Sequence, residues 1–133
     1  MRKSIFIILL FCLLLSFVSC EKKAYIFQQS VDKIERIDIV LAENSRESIV
    51  IKTLSEEQKK EFLDRFKEIE FGRIYFGDPT TVNGTAIKMI YQDGDYEIIC
   101  HYWSDYVSAE TTSFGWRYCD EKLFNDLVNA FLE

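Results

Sequence analysis

The stretch GTAIKMIYQDGDYEIICHYW, residues 84–103, decides the fold. Apolar and polar residues alternate on both sides of Asp93-Gly94, a dipeptide that suits a tight turn with positive φ, so the segment reads as two antiparallel strands. A two-residue turn at Asp93-Gly94 sets Gln92 opposite Asp95, Tyr91 opposite Tyr96, Met89 opposite Ile98 and Ile87 opposite Cys100. The last three pairs, with Tyr102, make one apolar face. The other face then reads Ala86, Lys88, Ile90, Glu97, Ile99, His101 and Trp103, a mixture of charge and apolar surface.

Working outward, FGRIYFGDPTTVNG before the hairpin holds an expected strand near residues 71–76 and a loop punctuated by Pro79 and Asn83-Gly84. TTSFGWRY after it reads as a sixth strand with Phe114, Trp116 and Tyr118 on one side, and the chain is expected to turn near residues 107–109. Two further strands precede residue 54. Ile37, Ile39 and Leu41 alternate with Asp38 and Val40, and Ile49 and Ile51 alternate with Val50 and Lys52, giving one apolar face each.

Two segments carry helical periodicity. LSEEQKKEFLDRFKEI places Ser55 as N-cap with Gln58 three residues on, a capping-box pair, and gathers Phe62, Leu63, Phe66 and Ile69 on one stripe. Glu56 with Lys60 and Glu61 with Arg65 stand at ion-pair spacing on its other side. CDEKLFNDLVNAFLE has Asp120 as N-cap and a stripe of Leu123, Phe124, Leu127, Val128, Phe131 and Leu132. The expected order is ββαββββα. It implies an α+β, two-layer fold with two helices on one face of an antiparallel sheet of five to six strands.

The N-terminus gives an address. MRK supplies two positive charges, and about 14 apolar residues follow from Ile5 to Val18, short of the roughly 20 that span a bilayer as a helix. A basic start, a short apolar middle and small residues at the end are the parts of a secretory signal. The run Phe17-Val18-Ser19-Cys20 resembles a bacterial lipobox, although that family usually carries leucine where this chain has Phe17. The resemblance implies cleavage before Cys20 and lipid on its sulfur. The chain then divides into a signal peptide, residues 1–19, a lipidated tether, residues 20–30, and a single domain, residues 31–133. Its place is the outer side of a cell membrane, held through the N-terminal lipid. Tyr25, Ile26 and Phe27 are too apolar for an idle tether, so part of it is expected to dock on the domain. Segments such as DGDYEII and GWRYCDEKLFNDL are similar to those of small Gram-positive lipoproteins, a resemblance that implies no activity.

Composition narrows the function. Removing residues 1–19 from the 133 leaves 114, one domain of ordinary size, and the 48% apolar content suffices for a core. The 14 basic against 22 acidic residues that remain give a net charge of −8, which disfavours nucleic acid and anionic headgroups as partners. Cys100 and Cys119 stay available for a disulfide. The expected register separates them by some four residues, beyond the roughly 7 Å Cα limit, which argues against a bridge while leaving the pairing to be decided by thiol counting.

Candidate chemistry is sparse. His101, Ser104 and Asp105 are the residue types of an acyl-transfer triad, but no G-x-S-x-G elbow exposes the serine and strand parity sets it on the opposite side from the other two. One histidine and no C-x-x-C pattern argue against a metal centre, QDGDYE reads as a turn, and no cofactor is implied. Aromatic residues reach 15% of the chain and concentrate near its C-terminal third. Trp103 shares the expected far face with Ile90, Ile99 and His101, and with Asp105 these form the candidate binding surface. The leading expectation is therefore non-enzymatic binding of a protein or ligand near the membrane. A small hydrolase or wall-modifying enzyme and an inhibitor or immunity protein for a basic partner are the alternatives.

Overall fold

The computed structural model describes residues 22–42, 48–73, 84–102, 106–109, 115 and 117–133. The fold is α+β, with antiparallel strands and two helices. In chain order the elements are a 3-10 turn (Val31–Lys33), β1 (Ile34–Ala42), β2 (Ser48–Thr53), α1 (Glu56–Phe66), β3 (Gly84–Tyr91), β4 (Tyr96–Tyr102), β5 (Tyr106–Ala109), β6 (Arg117–Tyr118) and α2 (Glu121–Ala130). The strands lie side by side in the order β2-β1-β3-β4-β5-β6, every neighbouring pair antiparallel.

Both helices start where their caps stand. The Ser55 hydroxyl accepts from the Gln58 amide at 3.2 Å while the Gln58 side chain accepts from the Ser55 amide at 3.1 Å, so two orphan donors are satisfied reciprocally. Asp120 accepts from the amides of Lys122 and Leu123. Phe62, Leu63 and Phe66 of α1 and Phe124, Leu127 and Val128 of α2 are buried with Ile37, Ile39, Ile87, Met89, Tyr91 and Ile99 of the sheet in the principal core. Lys59, and not Lys60, pairs with Glu56 at 2.8 Å, and its ammonium also reaches the carbonyls of Ile34 and Glu35.

The hairpin register differs from expectation by one residue. Ile90 faces Tyr96, Met89 faces Glu97, Lys88 faces Ile98, Ile87 faces Ile99 and Ala86 faces Cys100. The loop has three residues, not two. The Gly94 amide donates to the Tyr91 carbonyl at 2.9 Å, the Tyr91 amide donates to the Asp95 carbonyl at 2.8 Å, and Gly94 takes φ +89°. This is a turn followed by a left-handed residue, the usual three-residue hairpin connection. The Asp93 carboxylate accepts from the Asp95 amide and holds the loop. Because side chains alternate, a one-residue slip moves all of β4 to the other face. Glu97 and Ile99 therefore enter the principal core, while Ile98 and Cys100 join Val40, Ala42 and Ala86 in a second buried cluster on the opposite side of the sheet.

Three more expectations change. Of the strand expected at residues 71–76, Phe71 forms an isolated bridge with Lys23, Gly72 and Arg73 bond the backbone of Tyr118, and residues 74–83 lie outside the described ones. Residues 107–109 are strand, not turn, since Val107 and Tyr106 favour an extended chain and pair with His101 and Tyr102. Cys100 and Cys119 are buried free thiols, and they belong to clusters on opposite sides of the sheet, which rules out a bridge.

Candidate functional site

Two members of the expected binding surface, Ile90 and Ile99, do not share a face. Ile90 is half-buried on β3 opposite Tyr96, whereas Ile99 is fully buried in the principal core opposite Ile87, so the two point to opposite sides of the sheet. Backbone pairing sets His101 opposite Val107. Trp103 and Asp105 lie outside the described residues, as do Ser104, Cys20 and the signal segment 1–19.

Instead, the segment assigned to a tether is part of the fold. Lys23 and Phe71 exchange two backbone hydrogen bonds of 2.8 Å. Tyr25 is 5% exposed, with ring centroids 5.1 Å from Phe27, 5.1 Å from Phe66 and 5.8 Å from Phe71. Its neighbour Ile26, alternating outward, is 51% exposed. The segment sits on the principal-core side and not over the opposite side that sequence parity left uncovered. We call residues 22–29 the strap.

The strap is tied down at its far end by a buried carboxylate. Glu97 is fully buried, with Oε1 accepting from the Tyr91 hydroxyl at 2.9 Å and Oε2 accepting from the Gln28 amide at 3.1 Å. The Gln29 amide donates to the Tyr91 hydroxyl, and the Gln29 side chain donates to Asp93 at 2.7 Å. Burial raises the Glu97 pKa above the ordinary carboxylate value, opposed by the hydrogen bonds from Tyr91 and Gln28. Burial likewise pushes the Tyr91 phenol upward, and the adjacent Glu97 carboxylate adds to the rise. Hairpin alternation assigned Glu97 to an open face and so missed this network. The apolar Tyr25-Ile26-Phe27 run was the available signal.

A second feature lies across the sheet. Ile49, Val50 and Ile51 of β2 are 56%, 50% and 51% exposed, beside a partly exposed Leu41 on β1. β2 is the end strand, and its register against β1 shifts between Ile39 and Val40, leaving Ile51 as the extra residue of a bulge. The apolar face expected for Ile49 and Ile51 is thus not covered. The opposite edge differs: Gly72 and Arg73 pair with Tyr118 of β6, and the Arg117 guanidinium donates to the Gly72 carbonyl.

A shallow groove of about 380 Å³ lies between the Glu68–Gly72 region and α2, lined by Lys22, Glu68, Glu70, Tyr118, Cys119 and Leu123. Leu123 is exposed there, not buried with Phe124, Leu127, Val128 and Phe131 of its stripe. Cys119 at its margin is a poor nucleophile, since burial, then the charge of Asp120, pushes its thiol up to about 12. Among the described residues, no three His, Cys, Asp or Glu side chains gather to hold a metal, and no helix is long and apolar enough to cross a membrane. No protein-family model, no curated protein and no solved structure matches this chain.

Proposed function

We propose that this chain is an extracytoplasmic domain, moored to a bacterial cell membrane by lipid on Cys20, that works by binding a protein partner and not by catalysis. The strap is the observation that carries the reading. A lipid on Cys20 would lie three residues from the Lys23–Phe71 bridge, within roughly 10 Å of chain. The domain would therefore be held close to the bilayer in a restricted orientation, with the β6 side toward the lipid. β2 stands five strand spacings away, roughly 24 Å at about 4.8 Å each, and so faces outward.

Binding is favoured over chemistry because Tyr91 and Glu97, two buried ionisable groups, are engaged with each other and with the strap. The shared cluster of both helices with Ile37, Ile87 and Ile99 supports a two-layer arrangement in ββαββββα order, helices on one face. An inhibitor of a basic partner is the second reading, favoured by the carboxylates of Glu68, Glu70 and Asp120 around the exposed Leu123.

Mass spectrometry of the protein recovered from bacterial membranes tests the mooring. The expected species begins at Cys20 and carries acyl chains, and Cys20→Ala leaves the membrane fraction. A chain retaining residues 1–19 with a bare Cys20 would overturn the reading.

A further inference from the structure

We propose that Glu97 makes the strap a pH-gated latch, held on the domain most firmly when this carboxyl is protonated and loosened when it is ionised. The device lies wholly within the domain, so it goes beyond the binding role above and does not need the lipid. The two ends of the strap are fastened differently. At Lys23 the hold is a pair of backbone hydrogen bonds with Phe71, which carry no titratable group. At the other end the Gln28 amide donates to Glu97 Oε2, the Gln29 amide donates to the Tyr91 hydroxyl, and that hydroxyl donates to Glu97 Oε1. One carboxyl thereby joins the strap to the hairpin across 69 residues of chain.

Glu97 is 0% exposed, and among the described residues no cation pairs with it. The strap brings Tyr25, Gln28 and Gln29 to this corner, and β3 brings Tyr91. Asp93 of the hairpin loop is taken by the Gln29 side chain, and Lys33 of the 3-10 turn offsets its charge. Around the same core Arg36 of β1 pairs with Asp38, Arg117 of β6 donates to the Gly72 carbonyl, and on the helices Lys59, Arg65 and Lys122 pair with Glu56, Glu61 and Asp126. The two hydrogen bonds favour the carboxylate, but taking it out of water without a counter-ion costs more, and the balance raises its affinity for a proton. When the Gln28 end of the strap lifts, Glu97 regains water and returns toward the ordinary 4.5. Docking is therefore fullest below about 4.5 and weakens, by up to about tenfold per pH unit, as the pH rises to the raised value of the docked state. Lifting also bares Phe66 and Phe71, whose ring centroids lie 5.1 Å and 5.8 Å from that of Tyr25. A rise in pH thus uncovers apolar surface for a partner.

The test is hydrogen exchange of residues 20–133 carrying Cys20→Ser, followed amide by amide by NMR. Between about pH 5 and about pH 8 the protection of the Gln28 amide, taken relative to that of Met89 in β3, falls at least about threefold. In Glu97→Gln, which has no proton to lose there, the same ratio does not change with pH. A constant ratio in the unsubstituted chain, or an equal fall in Glu97→Gln, overturns the inference. The carbon-13 shift of the Glu97 carboxyl gives a second reading that needs no substitution at the latch: its titration midpoint lies above the ordinary 4.5, and a midpoint at or below that value overturns the inference as well. The chain tested carries no lipid, so a failed latch leaves the mooring intact, and a bare Cys20 in the native protein leaves the latch intact.

Discussion

Replacing Tyr25 by alanine separates a strap that belongs to the core from a tether that merely rests on it. Tyr25 is 5% exposed and contacts three aromatic rings within 5.8 Å. Truncating a buried aromatic residue costs about 3–5 kcal/mol, and the lower half applies here because the strap can relax at its free end. A domain of this size has a total stability of about 5–15 kcal/mol, so a loss of about 3 kcal/mol is a large fraction. At roughly 4–6 °C per kcal/mol, the melting temperature falls by about 12–18 °C. Ile26→Ala, one residue on but 51% exposed, changes it by no more than about 3 °C. Thermal unfolding of residues 20–133 carrying Cys20→Ser, followed by circular dichroism, measures both. Equal small shifts for the two variants would refute the reasoning, because a strap that peels away freely loses nothing when its buried ring is removed.

Glu97 gives a pH prediction whose sign follows from its environment. Burial raises its folded-state pKa above the ordinary 4.5, so its protonation contributes stability that is fully present below about that value and is lost as the pH rises through the raised one. Glu97→Gln removes that loss. Its stability relative to wild type therefore improves with rising pH across the window, and parallel urea-unfolding profiles between about pH 4 and about pH 8 would contradict the assignment. Gly94→Ala meets no neighbour within 4 Å but must hold φ +89°, costing about 1–2 kcal/mol, whereas Gly94→Asn costs less; equal stability of all three in urea would argue against the three-residue hairpin. Thiol titration of residues 20–133 carrying Cys20→Ser finds two free thiols after denaturation without reductant, and Cys119, with its thiol near 12, reacts slowly with alkylating reagents in the folded state; a disulfide by mass would contradict both statements.

What the sequence shows clearly is what adjacent residues decide. The Ser55–Gln58 box, the Asp120 cap and the stripes through Phe62, Phe66, Phe124 and Leu127 are local, and each stands where the periodicity set it. The hairpin's existence is legible, but its register is not. Two-residue and three-residue loops at Asp93-Gly94 differ by one position, and alternation favours the wrong one because it keeps Glu97 out of the core. A hydrogen-bond network spread over Gln28, Tyr91 and Glu97 has no signature in a hydrophobic pattern, since its members are up to 69 residues apart. Strand order is similarly hidden. SIVIKT reads as a strand with one apolar face, and its place at the end of the sheet leaves Ile49, Val50 and Ile51 open. Ile90 and Ile99 part to opposite faces for the same reason, because the register that set them together is slipped by one.

The strap, residues 22–29, is part of the folded domain and not a passive tether. Native-state hydrogen exchange on residues 20–133 carrying Cys20→Ser tests it at the amides of Lys23 and Gln28, which donate to Phe71 and Glu97. Protection within about tenfold of the β3 amides, such as Met89, is the predicted result. Exchange of Lys23 and Gln28 at the rate of an unstructured peptide while β3 stays protected would contradict it.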